Sequence, residues 1–82
     1  MWTRPRETVA LFPIDLAVDD QVTTTFDVAV TAAYGPRPTE FAPATVVDGQ
    51  AGVVIEGLSP GDYWAYPRHG EEVLPPLPFR IT

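Results

Sequence analysis

Few side chains in this sequence could perform covalent catalysis. The chain contains no cysteine, one serine (Ser59) and one histidine (His69). Nucleophilic catalysis needs a nucleophile beside a base that a third group orients. Ser59 precedes a Pro-Gly pair and His69 lies within Pro-Arg-His-Gly, and both compositions predict turns. We therefore interpret both residues as turn positions and predict that the protein is not an enzyme.

The carboxylates do not form a convincing acid–base or metal site either. Asp19-Asp20 and Glu71-Glu72 are adjacent pairs in predicted turns, where the burial that keeps one carboxyl protonated is least expected. Asp15 could join Asp19 and Asp20 around a calcium ion, but the three lack the Asp-x-Asp-x-Asp-Gly spacing of a calcium loop. Without cysteine, a disulfide and a Cys/His zinc site are excluded. We expect no cofactor and no metal.

The charge balance disfavours nucleic acid as a partner. Five basic residues, all arginines, stand against 11 acidic residues, which gives a net charge of −6 and a pI near 4.3. Such a surface repels phosphate backbones. The arginines near the start are not followed by the apolar core of a signal peptide, and no stretch approaches the roughly 20 apolar residues of a membrane helix. We expect a protein made in the cytoplasm that does not enter a membrane.

Hydrophobic alternation with period two predicts the strands that must position any site. Apolar residues at every second position place large side chains on one face of a half-buried strand. In Leu74 to Arg80 this pattern overlaps a Pro-x-x-Pro ligand motif for SH3 domains, and we favour the strand. The alternating residues are Phe26, Val28 and Val30, then Val53 and Ile55, and finally Leu77, Phe79 and Ile81.

Weaker strands and turns fill the remaining sequence. The β-prone stretches 8–12 and 14–18 predict an edge strand that bends at the proline between them, and a turn at 19–20 follows. Segments 44–47 and 51–56 flank Asp48-Gly49-Gln50, whose Asp-Gly pair is a hairpin signal. Residues 62–66 form a further strand, and the segments 34–38 and 68–76 are loops by composition. Six to seven short antiparallel strands predict an all-β sandwich in a single domain, residues 1–82.

The corner before the strand at 62–66 resembles that of immunoglobulin-like and fibronectin type III-like sandwiches. Its residues are Leu58, Pro60, Gly61 and Tyr63. The resemblance implies that the tyrosine ring packs inward and its hydroxyl bonds to backbone a few residues upstream. Leu58 would close one end of the core.

A second resemblance covers roughly the second half of the chain. Residues 46–49, 52–55, 58–63 and 79–82 together resemble small Ig-like domains of tailed bacteriophage virions. The resemblance implies a virion protein, specifically a capsid decoration or minor capsid protein. Its partners would be the major capsid protein that forms the shell, other virion proteins or copies of itself. The alternative is an Ig-like binding module of a tail, head–tail connector or baseplate, which binds protein or carbohydrate.

Two sets of aromatic and arginine residues are the predicted contact surfaces. If Tyr63 faces the core, alternation sends Trp64 and Tyr66 to the outer sheet face, where they suit a buried contact unless long loops fold over them. Residues 1–6 predict an extended arm with no core to join, ordered only by a neighbouring subunit. The arm's candidate contacts are Trp2, Arg4 and Arg6.

Overall fold

The predicted all-β class is confirmed in a computed structural model of the protein, which describes all 82 residues. It contains strands and no helix, so no helix long and apolar enough to cross a membrane is present. The strands are β1 Trp2–Arg4, β2 Ala10–Pro13, β3 Leu16–Val18, β4 Gln21–Thr23, β5 Asp27–Ala32, β6 Ala42–Pro43, β7 Thr45–Val47, β8 Gln50–Ile55, β9 Gly61–His69, β10 Glu72–Val73 and β11 Leu77–Ile81.

The strands form two principal sheets and one separate hairpin. The larger sheet has the order β1-β11-β9-β5-β6, and β10 pairs with β9. The smaller sheet has the order β2-β8-β7, and β3 pairs only with β4. Pairing is antiparallel throughout except between β1 and β11, which are parallel. The chain therefore crosses between sheets several times, which brings distant segments into one core.

Side chains from both sheets form a single apolar core. Phe79 and Ala65 are fully buried, and Phe26 and Val28 on the β5 side are buried as alternation predicts. The prediction is wrong for Leu77, which is 37% exposed. Leu77 is the first residue of β11 and follows a proline-rich approach, so it lies at the margin of the core. The ten buried members of the core are Phe12, Ile14, Leu16, Phe26, Val28, Ala51, Ile55, Ala65, Phe79 and Ile81.

Two-residue turns close two hairpins, of which the sequence predicted the second and, for the first, only the turn. Asp19 and Asp20 connect β3 to β4 with φ of 52° and 62°, and Asp48 and Gly49 connect β7 to β8 with φ of 49° and 80°. Two consecutive positive φ values define the turn whose twist matches the strands of a hairpin. Aspartate and glycine tolerate this conformation better than other residues. The local sequence therefore sets the register of both hairpins.

Two segments are more ordered than the sequence indicates. The predicted strand at 62–66 is β9, which runs on to His69, and the predicted loop 68–76 contains the β9–β10 hairpin, whose turn includes Gly70 with φ of 62°. The prediction that residues 1–6 lack a core to join is also wrong. Trp2–Arg4 is a strand of the larger sheet, and beyond it the Arg6 amide donates to the Thr82 carbonyl over 3.1 Å. Main-chain pairing with β11, which local sequence does not reveal, fixes this segment.

Candidate binding surfaces

The corner before β9 has the geometry that its sequence indicates. The Tyr63 hydroxyl donates to the Ser59 carbonyl oxygen over 2.7 Å, and the Tyr63 ring stacks on Phe79 with centroids 5.5 Å apart. Leu58 is partly buried against the core. The turn through Pro60 and Gly61 is thereby tied to the strand that follows it. This corner positions β9, whose outer face carries the first candidate surface.

The register of β5 and β9 places an aromatic row on the outer face of the larger sheet. Trp64 lies opposite Thr31, and Tyr66 lies opposite Ala29. Residues directly opposite in an antiparallel pair share a face, whereas successive residues in one strand alternate. The outer face is therefore the one away from the buried Ala65, as alternation predicts. The Trp64 and Tyr66 ring centroids are 6.1 Å apart.

The structure separates the two predicted aromatic contacts. Tyr66 is only 3% exposed, so its expected role as a contact residue is wrong. Trp64 remains half-buried. The segment 33–41 between β5 and β6 crosses this face, because Tyr34 lies beside Trp64 and Phe41 lies 4.4 Å beneath the Arg68 guanidinium. A connecting loop thus covers part of the aromatic row, the alternative that the sequence left open.

Tyr34 is the residue of this surface that sequence reasoning missed. It is 89% exposed, and its ring centroid lies 5.6 Å from that of Trp64. Its backbone is left-handed, with φ of 65°, which is uncommon for a bulky residue and marks a constrained position. The Gly35 amide donates to the Ala32 carbonyl over 3.1 Å and closes the turn. The sequence signal that could have identified it is an aromatic residue directly before Gly-Pro in the predicted loop 34–38.

Ion pairs lie on the same face as the aromatic row. Arg68 donates to Asp27 over 2.8 Å, and Arg80 donates to Asp62 over 2.7 Å. The hydrogen bond to Asp62, together with its negative charge, raises the pKa of the Arg80 guanidinium above its ordinary value. Each pair joins β9 to a neighbouring strand. The pairs therefore place charged side chains on the outer face that also carries Trp64.

The arm residues lie in different environments. Trp2 packs edge-on against Phe12 and Phe79, with centroids 5.1 Å and 5.9 Å apart. The Arg4 guanidinium lies 4.6 Å over the Trp2 ring, and Arg6 is exposed beside Glu7. Trp2 is therefore a packing residue at the edge of the core, and the two arginines are exposed around it.

The residues considered for catalysis and metal binding are not brought together. Ser59 and His69 are both exposed, and Ser59 contributes its carbonyl oxygen to the corner. No group of three or more His, Asp or Glu side chains is arranged to hold a metal ion. Asp15 instead accepts a hydrogen bond from the Gln50 amide over 3.1 Å.

Comparison with known proteins finds no match for this chain. No protein-family model, no curated protein and no solved structure matches the chain.

Proposed function

We propose that this chain is a non-enzymatic binding module with an immunoglobulin-like sandwich. Three features support the immunoglobulin-like assignment. The sheet β1-β11-β9-β5-β6 shares one core with β2-β8-β7, and β1 pairs in parallel with the last strand. The Tyr63 hydroxyl bonds to backbone four residues upstream, as at the corner of such sandwiches. A fold of this class hosts many functions, so the surface must indicate which one applies.

The exposed Tyr34, together with the half-buried Trp64 beside it, carries the binding proposal. Tyr34 is 89% exposed, and a tyrosine has few side-chain torsions to lose when a partner covers it. Tyrosine and tryptophan are enriched among the residues that dominate binding energy at interfaces. The ion pairs of Arg68 and Arg80 on the same face provide a polar surround. This arrangement suits burial under another protein.

The proposed partner is the assembled shell of a tailed bacteriophage. The support is the resemblance of residues 46–49, 52–55, 58–63 and 79–82 to small Ig-like virion domains. In this proposal the chain is a capsid decoration or minor capsid protein located in the virion, and it contacts the major capsid protein, other virion proteins or copies of itself. Binding to the shell would stabilise the folded chain by mass action, since the unfolded chain does not bind.

The same surface also suits the alternative, a protein- or glycan-binding module of a tail, connector or baseplate. The Tyr34 ring is almost fully exposed, and its centroid lies 5.6 Å from that of Trp64. An exposed aromatic ring with charged groups on the same face could stack on a sugar ring whose hydroxyls meet Asp62 or Arg80. The same two aromatic residues serve both proposals, but the covering partner differs.

Co-sedimentation with purified capsid shells tests the proposal. We expect saturable binding at a fixed stoichiometry, and we expect Tyr34→Asn to weaken it about tenfold or more, the size of effect seen at interface hot spots. Asparagine tolerates the left-handed backbone, so this variant removes the ring and keeps the turn. Val22→Thr is the matched control, because Val22 is exposed on the separate β3–β4 hairpin.

Absence of shell binding would overturn the shell proposal. If the folded protein shows no saturable binding to shells, it is not a decoration protein. Tail proteins and a glycan array then become the test of the alternative, again with Tyr34→Asn beside Val22→Thr. Equal loss of binding in both variants would remove the outer aromatic face from either proposal.

A further inference from the structure

The second half of β8 has a strand on only one side. β2 pairs with Gly52–Ile55, whereas β7 pairs only with Gln50–Gly52. The Ile14 amide donates to the Ala51 carbonyl on the β2 side. Backbone groups of an antiparallel strand alternate between its two neighbours. Val54 and Glu56 therefore direct their N–H and C=O groups to the β7 side of β8, where β7 does not extend far enough to pair with them.

The chain leaves this edge open because it joins the smaller sheet only at Thr45, opposite Gly52. β6 pairs with β5 only at Asp27 and Val28. The Ala44 amide then donates to the Phe26 carbonyl over 2.9 Å, and the chain crosses to the smaller sheet as β7. β6 pairs with no residue of β5 after Val28, and β7 pairs with no residue of β8 after Gly52.

An apolar cavity lies beside this open edge. It has a volume of about 170 Å³, and five of its six lining residues are hydrophobic. The cavity is open to solvent on one side, and its volume is about that of a small hydrophobic group such as benzene, which corresponds to one Val, Leu, Ile or Phe side chain. The lining residues are Val30, Val53, Val54, Ile55, Glu56 and Leu58.

Charge separates the two sheets and indicates the chemistry of an occupant. Residues 9–25 and 44–60, which build the smaller sheet, the β3–β4 hairpin and their turns, contain five acidic residues and no basic residue. All five arginines lie in the larger sheet or its connections. Glu56 is the one charged residue that lines the cavity. A partner segment with basic residues would be attracted to this edge.

We propose that the open edge of β8 accepts an extended segment of another protein, which adds a strand to the smaller sheet. The segment pairs with the backbone of Val54 and Glu56, places one apolar side chain in the cavity and carries a basic residue near Glu56. Pairing with the same edge of a second copy fits poorly, because it would bring two acid-only surfaces together. This site goes beyond the proposed function, since it lies on the opposite sheet from Tyr34 and Trp64.

A peptide titration of the isolated full chain tests this proposal. The probe is the capped nonapeptide Thr-Arg-Val-Thr-Val-Thr-Val-Arg-Thr, observed by amide NMR. We expect saturable shifts confined to Val30 and residues 53–58, with slower hydrogen exchange at the Val54 and Glu56 amides. A matched peptide with glutamate in place of both arginines should bind about threefold more weakly or worse, as loss of exposed ion pairs predicts.

Two variants separate the backbone contribution from the charge contribution. Val54→Pro removes the amide donor that has no partner within the fold, and we expect it to abolish peptide binding. Val54→Thr keeps the amide and the branched side chain and should bind like the original chain. Glu56→Arg should reverse the preference, so that the glutamate peptide binds better than the arginine peptide. It changes only an exposed residue, so it remains informative if Val54→Pro fails to fold.

Three results would overturn the proposal: no binding at millimolar peptide, shifts elsewhere on the molecule, or unchanged binding by folded Val54→Pro. Concentration-dependent dimerisation through residues 53–58 would also overturn it, because the occupant would then be a second copy. Shell co-sedimentation of Val54→Pro distinguishes the two surfaces. Retained shell binding with lost peptide binding supports both proposals. If the original chain binds the peptide but not the shells, only the decoration function is excluded.

Discussion

Tyr63 links a turn to the core through two contacts in one side chain. Its hydroxyl donates to the Ser59 carbonyl oxygen, and its ring stacks on the fully buried Phe79. The hydrogen bond holds the turn at Pro60 against the start of β9. Because β9 pairs with three other strands, the position of this turn influences most of the larger sheet.

Replacing Tyr63 with phenylalanine should lower the free energy of unfolding by about 1 kcal/mol, the usual net value of one hydrogen bond. The ring and its stacking on Phe79 are retained, so the loss reports on the hydroxyl alone. Urea denaturation followed by tryptophan fluorescence measures it. Tyr34→Phe is the control, since the exposed Tyr34 hydroxyl makes no hydrogen bond within the chain. If Tyr63→Phe and Tyr34→Phe lowered the free energy of unfolding equally, the stabilising role of the Tyr63 hydrogen bond would be contradicted.

Gly52 lies where the backbones of β2 and β8 approach each other closely. A Cβ atom there would lie 2.1 Å from the Phe12 carbonyl oxygen and 3.1 Å from the Leu11 side chain. Gly52→Ala should therefore displace β2 from β8 and lower the free energy of unfolding by about 2 kcal/mol or more, as overpacking does. Thr45→Ala, across the β7–β8 pair from Gly52, should change it by less than about 0.5 kcal/mol. Comparable denaturation midpoints would refute this reading of Gly52.

At the scale of elements, β1 completes the larger sheet although it is only three residues long. It pairs in parallel with β11, and Trp2 adds its ring to Phe12 and Phe79. Phe12 belongs to the smaller sheet and Phe79 to the larger one. Trp2 therefore contacts a residue of each sheet from a strand at the edge of the larger one.

Trp2→Ala should lower the free energy of unfolding by about 2–3 kcal/mol, because truncating a packed aromatic side chain removes apolar burial and ring contacts. Arg4→Ala, in the same strand, should cost less than about 0.5 kcal/mol, since Arg4 is exposed. Circular dichroism melts compare the two. If both substitutions left stability unchanged, residues 1–6 would behave as a free arm in solution.

At the scale of the whole molecule, a thin core must hold two sheets together without a disulfide bond. The molecule measures 35 × 30 × 20 Å, and the shortest dimension is about that of two packed sheets with their side chains. Ten buried residues form the core, and no cysteine is present. Domains of this size gain little net stability from a single core.

The isolated chain should unfold cooperatively, with a free energy of unfolding of only about 3–5 kcal/mol. Because the core joins both sheets, tryptophan fluorescence and far-ultraviolet circular dichroism should give the same urea midpoint. The midpoint should not depend on protein concentration if the chain folds alone. Two separate transitions would contradict a single core, and a concentration-dependent midpoint would show that assembly supplies part of the stability.

Local chemistry explains what could be predicted from the sequence. Alternation identified the inner residues Phe26, Val28 and Ile55, because period two is a property of each strand by itself. The hairpin at Asp48-Gly49 was predictable because positive φ favours those residues at that turn. The all-β class followed from several such short signals together.

Only the tertiary structure decided which surfaces are free. Trp64 and Tyr66 have the same place in the alternation, yet segment 33–41 crosses their face, and Tyr66 is buried whereas Tyr34 is exposed. Trp2 joins the core through a parallel pairing with residues 79–81, and β8 keeps an open edge because β7 begins only at Thr45, opposite Gly52. Each outcome depends on contacts between segments far apart in the chain, which composition and periodicity do not encode.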